Sequence, residues 1–262
     1  MTVPPPHRLT LTAAEYAYLV NKVGFDLPPD WAPRSDVAAP GSLAAKGVLK
    51  DDEIVPPVRE NLRIIAHPRI MLDTAATVGP RGSRSLHVIA GELGASLFLL
   101  PDEGVELSMF AAVDLGRELV RAVPPEENGI GSALDGPADE REPLRGVVPL
   151  AALHELGVAD LLREADPDAP GYVLAELKLP KEEAEFALDI VRRTDGVLRC
   201  LVTSVVDGSV RSAQLSWLHS DTGWIGMQPA ANSGGRRLME LAPVSRADLG
   251  VWVTPYVSEA LA

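Results

Sequence analysis

The alternation of apolar and polar positions predicts β-strands in the first half of the chain. In VELSMFAAV, residues 105–113, apolar side chains at every second position alternate with Glu106, Ser108 and Phe110. A period of two is typical of a strand. Three more apolar runs precede it, RIMLDTAATV, SLHVIAGEL and ASLFLL, with short glycine-containing connections. Because parallel neighbours need a crossover of a dozen or more residues, these connections predict an antiparallel meander of four strands.

Helices are predicted on both sides of this meander. In LTAAEYAYLVNKVG, Thr12 and Glu15 have the spacing of a capping box, and Gly24 is placed to end the helix. We also expect helices at residues 42–46, 57–66 and 115–123.

The second half repeats this plan of helices, strands and a closing helix. Two helical segments, VPLAALHELGVADLLREA and LPKEEAEFALDIVRRTDG, precede four predicted strands, GVLRCLVTSVV, SVRSAQLSWLHS, GWIGMQP and RRLMELAPV. Asp207-Gly208 is a hairpin dipeptide between the first two strands. One apolar stripe marks a final helix, formed by Leu249, Trp252, Val253, Tyr256 and Val257.

These patterns predict an α+β fold, with an antiparallel sheet built from two pseudo-symmetric four-strand halves and flanked by helices. We expect a single domain over residues 1–262, with an N-terminal half at 1–124 and a C-terminal half at 146–262. Residues 125–145 are acidic, rich in Gly and Pro and without periodicity, so they are expected to form a linker or loop.

Charge and composition narrow the classes of partner. The 262 residues carry a formal net charge of -13, which disfavours binding to nucleic acid and to anionic membranes. Neither a signal peptide nor an apolar run of about 20 residues, the length that spans a bilayer, is recognisable, so we expect a cytoplasmic protein. Cys200 lies in an apolar run and is expected to be a small buried side chain.

Candidate catalytic chemistry is confined to one short run, in which His219, Ser220 and Asp221 are adjacent. These are the residue types of a hydrolase triad, but neighbours along a strand point to opposite faces and no G-x-S-x-G motif is present. We therefore expect a turn here. HELGV at His154 lacks the second histidine of a zinc-protease motif, and the five histidines are scattered. The sequence predicts no catalytic residue, no metal and no cofactor.

Several stretches together resemble the EspG family of type VII (ESX) secretion chaperones of actinobacteria. LTLTAAEYAYLVNKVGFDLPP is similar to that family's opening helix and proline loop. GSLAAKGVLKDDEIVPPVRENLRIIAHPRIMLD and SVRSAQLSWLHSDTGWIGMQP resemble later parts of its fold, so that the likeness extends over nearly the whole chain. The resemblance implies an α+β sheet with two helical bundles and no catalytic site.

The resemblance also implies a partner and the surfaces that contact it. Family members bind the helical tip of PE–PPE heterodimers in the cytosol, cover its apolar surface and direct the cargo to its secretion system. The contacting parts are an early strand–strand loop and the C-terminal helical bundle. Carried over to this sequence, they are Pro80, Arg81, Gly82 and Arg84 in the loop, with Leu153, Leu156, Leu161, Tyr172, Leu174, Leu177 and Phe186 in the bundle.

Alternatives remain open at this point. The loop GPRGSR is shorter than is usual in the family, so a WxG-type helical hairpin is a second cargo class. A solvent-exposed loop and a core helix are the simpler interpretations of the two segments. The chain could also be a small-molecule-binding or enzymatic α+β domain with scattered site residues, or a structural relative that has lost its cargo. A homodimer is left open.

Overall fold

One antiparallel sheet of ten strands runs through both halves of the chain. The computed structural model describes residues 8–125, 141–162, 165–231 and 235–261. The strands of the first half are β1 (Arg8–Leu11), β2 (Leu49–Lys50), β3 (Glu53–Ile54), β4 (Ile70–Val78), β5 (Arg81–Ala90), β6 (Leu93–Leu99) and β7 (Val105–Ala111). Those of the second half are β8 (Gly146–Pro149), β9 (Thr194–Val206), β10 (Ser209–Ser220), β11 (Gly223–Pro229) and β12 (Leu238–Pro243).

The order of the strands is the same in the two halves when it is followed outward from the centre. It is β4, β5, β6, β7, β1 on one side and β9, β10, β11, β12, β8 on the other, while β2 and β3 form a separate hairpin. β4 and β9 join the halves, from Ile70 opposite Ser204 to Val78 opposite Gly196. A Cβ at Gly196 would lie 2.2 Å from the carbonyl oxygen of Thr77, so this joint requires glycine.

Seven α-helices of the described chain cover the sheet. They are α1 (Ala13–Val23), α2 (Pro56–Ala66), α3 (Leu115–Ala122), α4 (Leu150–Leu161), α5 (Ala169–Leu177), α6 (Lys181–Arg193) and α7 (Asp248–Leu261). α3 and α7 pack over the centre of one face, where all five residues of the predicted stripe on α7 contact the core. α1 and α2 pack over the first half, and α4, α5 and α6 over the second.

The two helical bundles lie on the same face of the sheet. The first bundle is α1 and α2, and the second is α4, α5 and α6. Leu218 on β10 packs in the core of the second bundle. Leu218 is paired across the sheet with Val197 on β9, and Val197 is paired with Thr77 on β4, so the three side chains lie on one face. Thr77 shares its face with Met71, which packs in the core of the first bundle. We call this face, between the bundles, the bundle face.

The predicted α+β fold with an antiparallel sheet is confirmed, but the strand count is wrong. Each half contributes five strands to the large sheet, because β1 and β8 add to the outer edges of the two meanders. Residues 42–46 form turns and not a helix. Of the expected linker, residues 126–140 lie outside the described residues.

The prediction that GPRGSR forms a loop is also wrong for four of its six residues, which belong to β5. Val78 pairs with Arg81 and Thr77 pairs with Gly82, so only Gly79 and Pro80 form the turn between β4 and β5. Gly79 has a φ of +53°, which glycine adopts without steric cost. Within the described residues, no helix is long and apolar enough to cross a membrane.

Candidate partner-binding surface

The middle of the bundle face is open to solvent. On β9, the side chains of Val197, Arg199 and Leu201 alternate with the buried side chains of Leu198 and Cys200. Val197 is 38% exposed and Leu201 is 42% exposed, although both lie on a central strand that is hydrogen-bonded on both sides. An antiparallel sheet commonly leaves one face to water, but the side chains on that face are then mostly polar, whereas β9 carries apolar side chains there. The uncovered apolar floor is therefore a candidate contact surface.

A cleft of about 470 Å³ borders this floor on the side of the second bundle. The walls of the cleft are α4 and α6, and its bottom is formed by residues of β9, β10 and β11. Most lining residues are apolar. They are Leu150, Leu153, His154, Gly157, Asp160, Leu161, Ile190, Val191, Thr194, Val197, Arg199, Ser216, Leu218 and Met227.

Helical periodicity explains how α4 presents one side to the cleft and another to the core. Leu150, Leu153, Gly157 and Leu161 recur every three or four residues and line the cleft, whereas Leu156 is fully buried against the sheet. At Gly157 an added Cβ would meet nothing within 4 Å, so this glycine widens the cleft in the middle of the wall. Leu161 remains 84% exposed at the end of the helix.

Arg199 places a positive charge on the apolar floor. Its Nη2 donates to the amide oxygen of Gln214 at 3.1 Å, and both side chains are exposed. His154 and Asp160 on α4 are the other titratable groups of the lining. The cleft thus combines a large apolar area with few, separated polar groups, a composition shared by protein-recognition surfaces and small-molecule sites.

A different cluster marks the opposite border of the open floor, beside the first bundle. The guanidinium of Arg84 lies 4.7 Å from the ring centre of Trp31 and donates to Asp73 at 2.9 Å, and Trp31 Nε1 donates to Asp73 at 3.1 Å. The hydrogen bond with Asp73 raises the pKa of Arg84. These contacts fix the loop after α1 onto the sheet, so the charge of Arg84 is engaged within the chain.

The short turn between β4 and β5 is hydrogen-bonded to β9, the strand that carries part of the cleft lining. The backbone N–H of Gly79 donates to the carbonyl oxygen of Asp195 at 2.9 Å, next to Thr194 and close along β9 to Val197, both of which line the cleft. The turn therefore lies beside the end of β9 near the cleft, although none of residues 79–82 is part of the lining.

Comparison with known proteins gives the family directly. The model of the EspG family matches residues 25–254. The chain belongs to the EspG family. No protein of established function matches the sequence significantly.

The fold of this EspG family member is similar to that of the Mycobacterium tuberculosis type VII secretion system chaperone EspG5, whose structure was solved in complex with a PE25–PPE41 dimer. The likeness covers 97% of this chain and 96% of the other, with a TM-score of 0.64 and 12% sequence identity. At this identity the similarity shows the fold alone.

The predicted contact residues of this EspG protein fall into three groups. Leu153 and Leu161 line the cleft, and Tyr172 is 66% exposed on α5. Pro80, Arg81 and Gly82 are exposed at the turn and the start of β5. The remaining residues are engaged inside the chain: Arg84 in its ion pairs, Leu156 in the core, and Leu174, Leu177 and Phe186 against the core of the second bundle.

Sequence reasoning missed the floor residues Val197, Arg199 and Leu218. A signal was present in GVLRCLVTSVV, because its apolar residues occupy both faces of one strand. Such a run is ordinarily interpreted as a doubly buried strand, and the sequence does not show that helices leave one face uncovered.

The adjacent His219, Ser220 and Asp221 lie at a turn, as predicted: His219 and Ser220 end β10, and Asp221 begins the turn to β11. The Ser220 hydroxyl donates to the carbonyl oxygen of Gly223 and accepts from the N–H of Thr222, so it closes the turn between β10 and β11. His219 Nδ1 lies 2.6 Å from Asp195 and makes no triad with its neighbours. Burial opposes ionisation of Asp221, but hydrogen bonds from Arg193 and Arg141 hold its pKa below the ordinary value. In the described part of the chain, no group of three His, Cys, Asp or Glu side chains is placed to hold a metal ion.

Proposed function

We propose that this protein is a cytoplasmic, non-enzymatic chaperone for type VII (ESX) secretion substrates. It binds helical secreted proteins, either PE–PPE-like heterodimers or WxG-type hairpins, shields their apolar tip and directs them to the secretion machinery. Family membership supports this class of function, and the solved complex of EspG5 with PE25–PPE41 supports a PE–PPE-like pair as the cargo.

The uncovered apolar floor and its cleft carry the proposal at the level of residues. An apolar helix tip, exposed in the free cargo, would aggregate by association of the same surfaces. The cleft between α4 and α6 offers apolar side chains of comparable character on a rigid sheet, and Gly157 leaves room for a large side chain of the partner. We propose Leu153, Leu161 and Tyr172 as contact residues, together with Val197 and the turn at Pro80 and Arg81.

The test is the binding of purified chain to defined cargo. The probes are a recombinant PE–PPE heterodimer and a WxG-type hairpin protein of the source organism, each measured by isothermal titration calorimetry. Gly157→Leu fills the cleft, since the new side chain meets open space and leucine is a better helix former than glycine. Ala151→Leu adds the same side chain to an exposed position of α4 that does not line the cleft.

We expect the unchanged chain and Ala151→Leu to bind one of the probes equally well, and Gly157→Leu to bind it at least about tenfold more weakly, a loss of about 1.4 kcal/mol. The unchanged chain should also suppress the aggregation of that cargo in light scattering. Equal binding by Gly157→Leu would remove the cleft from the contact surface. Failure of the unchanged chain to bind either probe would refute the chaperone function itself.

A further inference from the structure

We propose that the cleft selects an apolar helix end that carries a carboxylate, and that Arg199 is the residue that recognises this carboxylate. The inference rests on the proposed function, since it names the chemistry of the cargo at the same surface. Among the described residues, Arg199 is the one arginine of the cleft lining.

Arg199 differs in its partners from three partly buried arginines, one on β5, one on α3 and one on α6. Arg84 pairs with Asp73, Arg121 with Glu106 and Glu118, and Arg193 with Asp189 and Asp221. Arg199 instead donates to a neutral amide oxygen, and among the described residues no carboxylate lies within 4.0 Å of it. Other described arginines, Arg192 among them, also lack a carboxylate partner, and what sets Arg199 apart is its position at the bottom of an apolar cleft.

The neighbours of Arg199 do not neutralise it either. Ala75 on β4 and Ser216 on β10 are directly opposite Arg199 on the two adjacent strands. Leu218, Val197 and Met227 extend the apolar lining around it. His154 and Asp160, the other titratable groups of the cleft, are carried by α4.

Binding would bury this charge. When an apolar helix end covers the floor, the guanidinium loses water, and that cost is recovered only if the partner supplies an opposite charge with good geometry. A carboxylate fits the planar fork of the guanidinium with two parallel hydrogen bonds. The central strand position, with backbone ladders on both sides, fixes the backbone that carries Arg199, and the hydrogen bond to Gln214 orients its guanidinium across the sheet before binding.

A partner of this description is a helical hairpin whose tip combines apolar side chains with an Asp or Glu. Nucleic acid is disfavoured as the source of the anion, because the chain has a net charge of -13. A small apolar carboxylate would satisfy the same cleft and is one outcome of the test below.

The experiment measures the affinity of Arg199→Gln and Arg199→Glu for the PE–PPE heterodimer or WxG-type hairpin that the unchanged chain binds. Arg192→Gln is the matched control, because Arg192 is exposed on α6 outside the cleft. Circular dichroism and urea unfolding verify that each variant keeps its fold. In the cargo, each acidic residue of the tip is changed in turn to Arg.

We expect Arg199→Gln to weaken binding by about 30-fold or more and Arg199→Glu by more still, while Arg192→Gln stays within about twofold. One cargo Asp→Arg or Glu→Arg substitution should weaken binding to the unchanged chain and restore binding to Arg199→Glu. Arg199 variants that bind normally, while the unchanged chain also binds, would overturn the inference and leave the chaperone function standing. Competition by octanoate at micromolar concentration would also overturn it, since the cleft would then be a small-molecule site.

Discussion

Glu15 offers a prediction whose size follows from the structure. Its carboxylate is buried, with 3% of the side chain exposed, and accepts hydrogen bonds from the backbone N–H of Thr12, from the N–H and hydroxyl of Ser42, and from Lys46 at 2.7 Å. One side chain thus caps α1 and holds the turns at residues 41–47 against it. Glu15→Gln removes the charge and keeps the shape.

The magnitude follows from the pKa of this carboxyl group. Burial raises it, but the hydrogen bonds from Lys46, Thr12 and Ser42 outweigh burial and lower the pKa from 4.5 to about 2. Lowering a carboxyl pKa by that amount stabilises the ionised, folded form by about 3 kcal/mol. Because the pKa is lower in the folded chain than in the unfolded chain, the contribution is complete above about pH 5 and is lost as the pH falls toward 2, with about half remaining at pH 3.

Urea unfolding followed by circular dichroism tests this at pH 7 and pH 3. Glu15→Gln should lower the free energy of unfolding by about 2–3 kcal/mol at pH 7, and its difference from the unchanged chain should shrink by about half at pH 3. The control is Glu53→Gln, whose carboxylate forms an exposed ion pair with Arg59 and should contribute roughly 0–1 kcal/mol. A difference for Glu15→Gln that is below 1 kcal/mol, or that does not change with pH, would refute the assignment of this carboxylate as the anchor of the turns.

Two further results are expected. Gly196→Ala should lower the free energy of unfolding by about 1–3 kcal/mol, because its Cβ would lie 2.2 Å from the carbonyl oxygen of Thr77. Gly157→Ala should instead raise the free energy of unfolding by roughly 0.5–1 kcal/mol, because its Cβ meets open space and alanine is the better helix former. Urea midpoints that move in the same direction for both variants would contradict the packing at these two glycines. Burial raises the pKa of the Cys200 thiol to about 11. A thiol-specific disulfide reagent should therefore modify Cys200 at least about 100-fold faster in denaturing urea than in buffer. Rapid labelling of the folded chain would show instead that β9 opens readily.

Local signals in the sequence predicted most elements of the fold. The capping box of Thr12 and Glu15 and the αL residue Gly24 bound α1 as expected, and Asp207 and Gly208 form the turn between β9 and β10. These features depend on residues close in the chain. β1 and β8 were missed because each has four residues and is defined by pairing with a distant strand.

The candidate site was predicted less completely, and for a related reason. Helical spacing identified Leu153 and Leu161 as apolar positions, but the same spacing gave Leu156, which is core. Only the packing of α4 on the sheet decides which apolar side is buried. Val197 and Arg199 are exposed because the two bundles leave one face of the central strands uncovered. This exposure depends on how the helices pack on the sheet, and no single segment of the sequence determines it.

The pairing of β4 with β9 also means that the central part of the sheet cannot form until late in the synthesis of the chain. The paired residues, from Val78 with Gly196 to Ile70 with Ser204, are separated by about 120 to 130 positions in the chain. At a translation rate of about 5–20 residues per second, β4 is made roughly 6–25 s before its partner strand emerges. During this interval the nascent N-terminal half exposes an unpaired nine-residue edge, which is the kind of edge that recruits foreign strands. The chain therefore passes through an aggregation-sensitive stage of its own on the ribosome, the same hazard from which, under the proposed function, it protects its cargo.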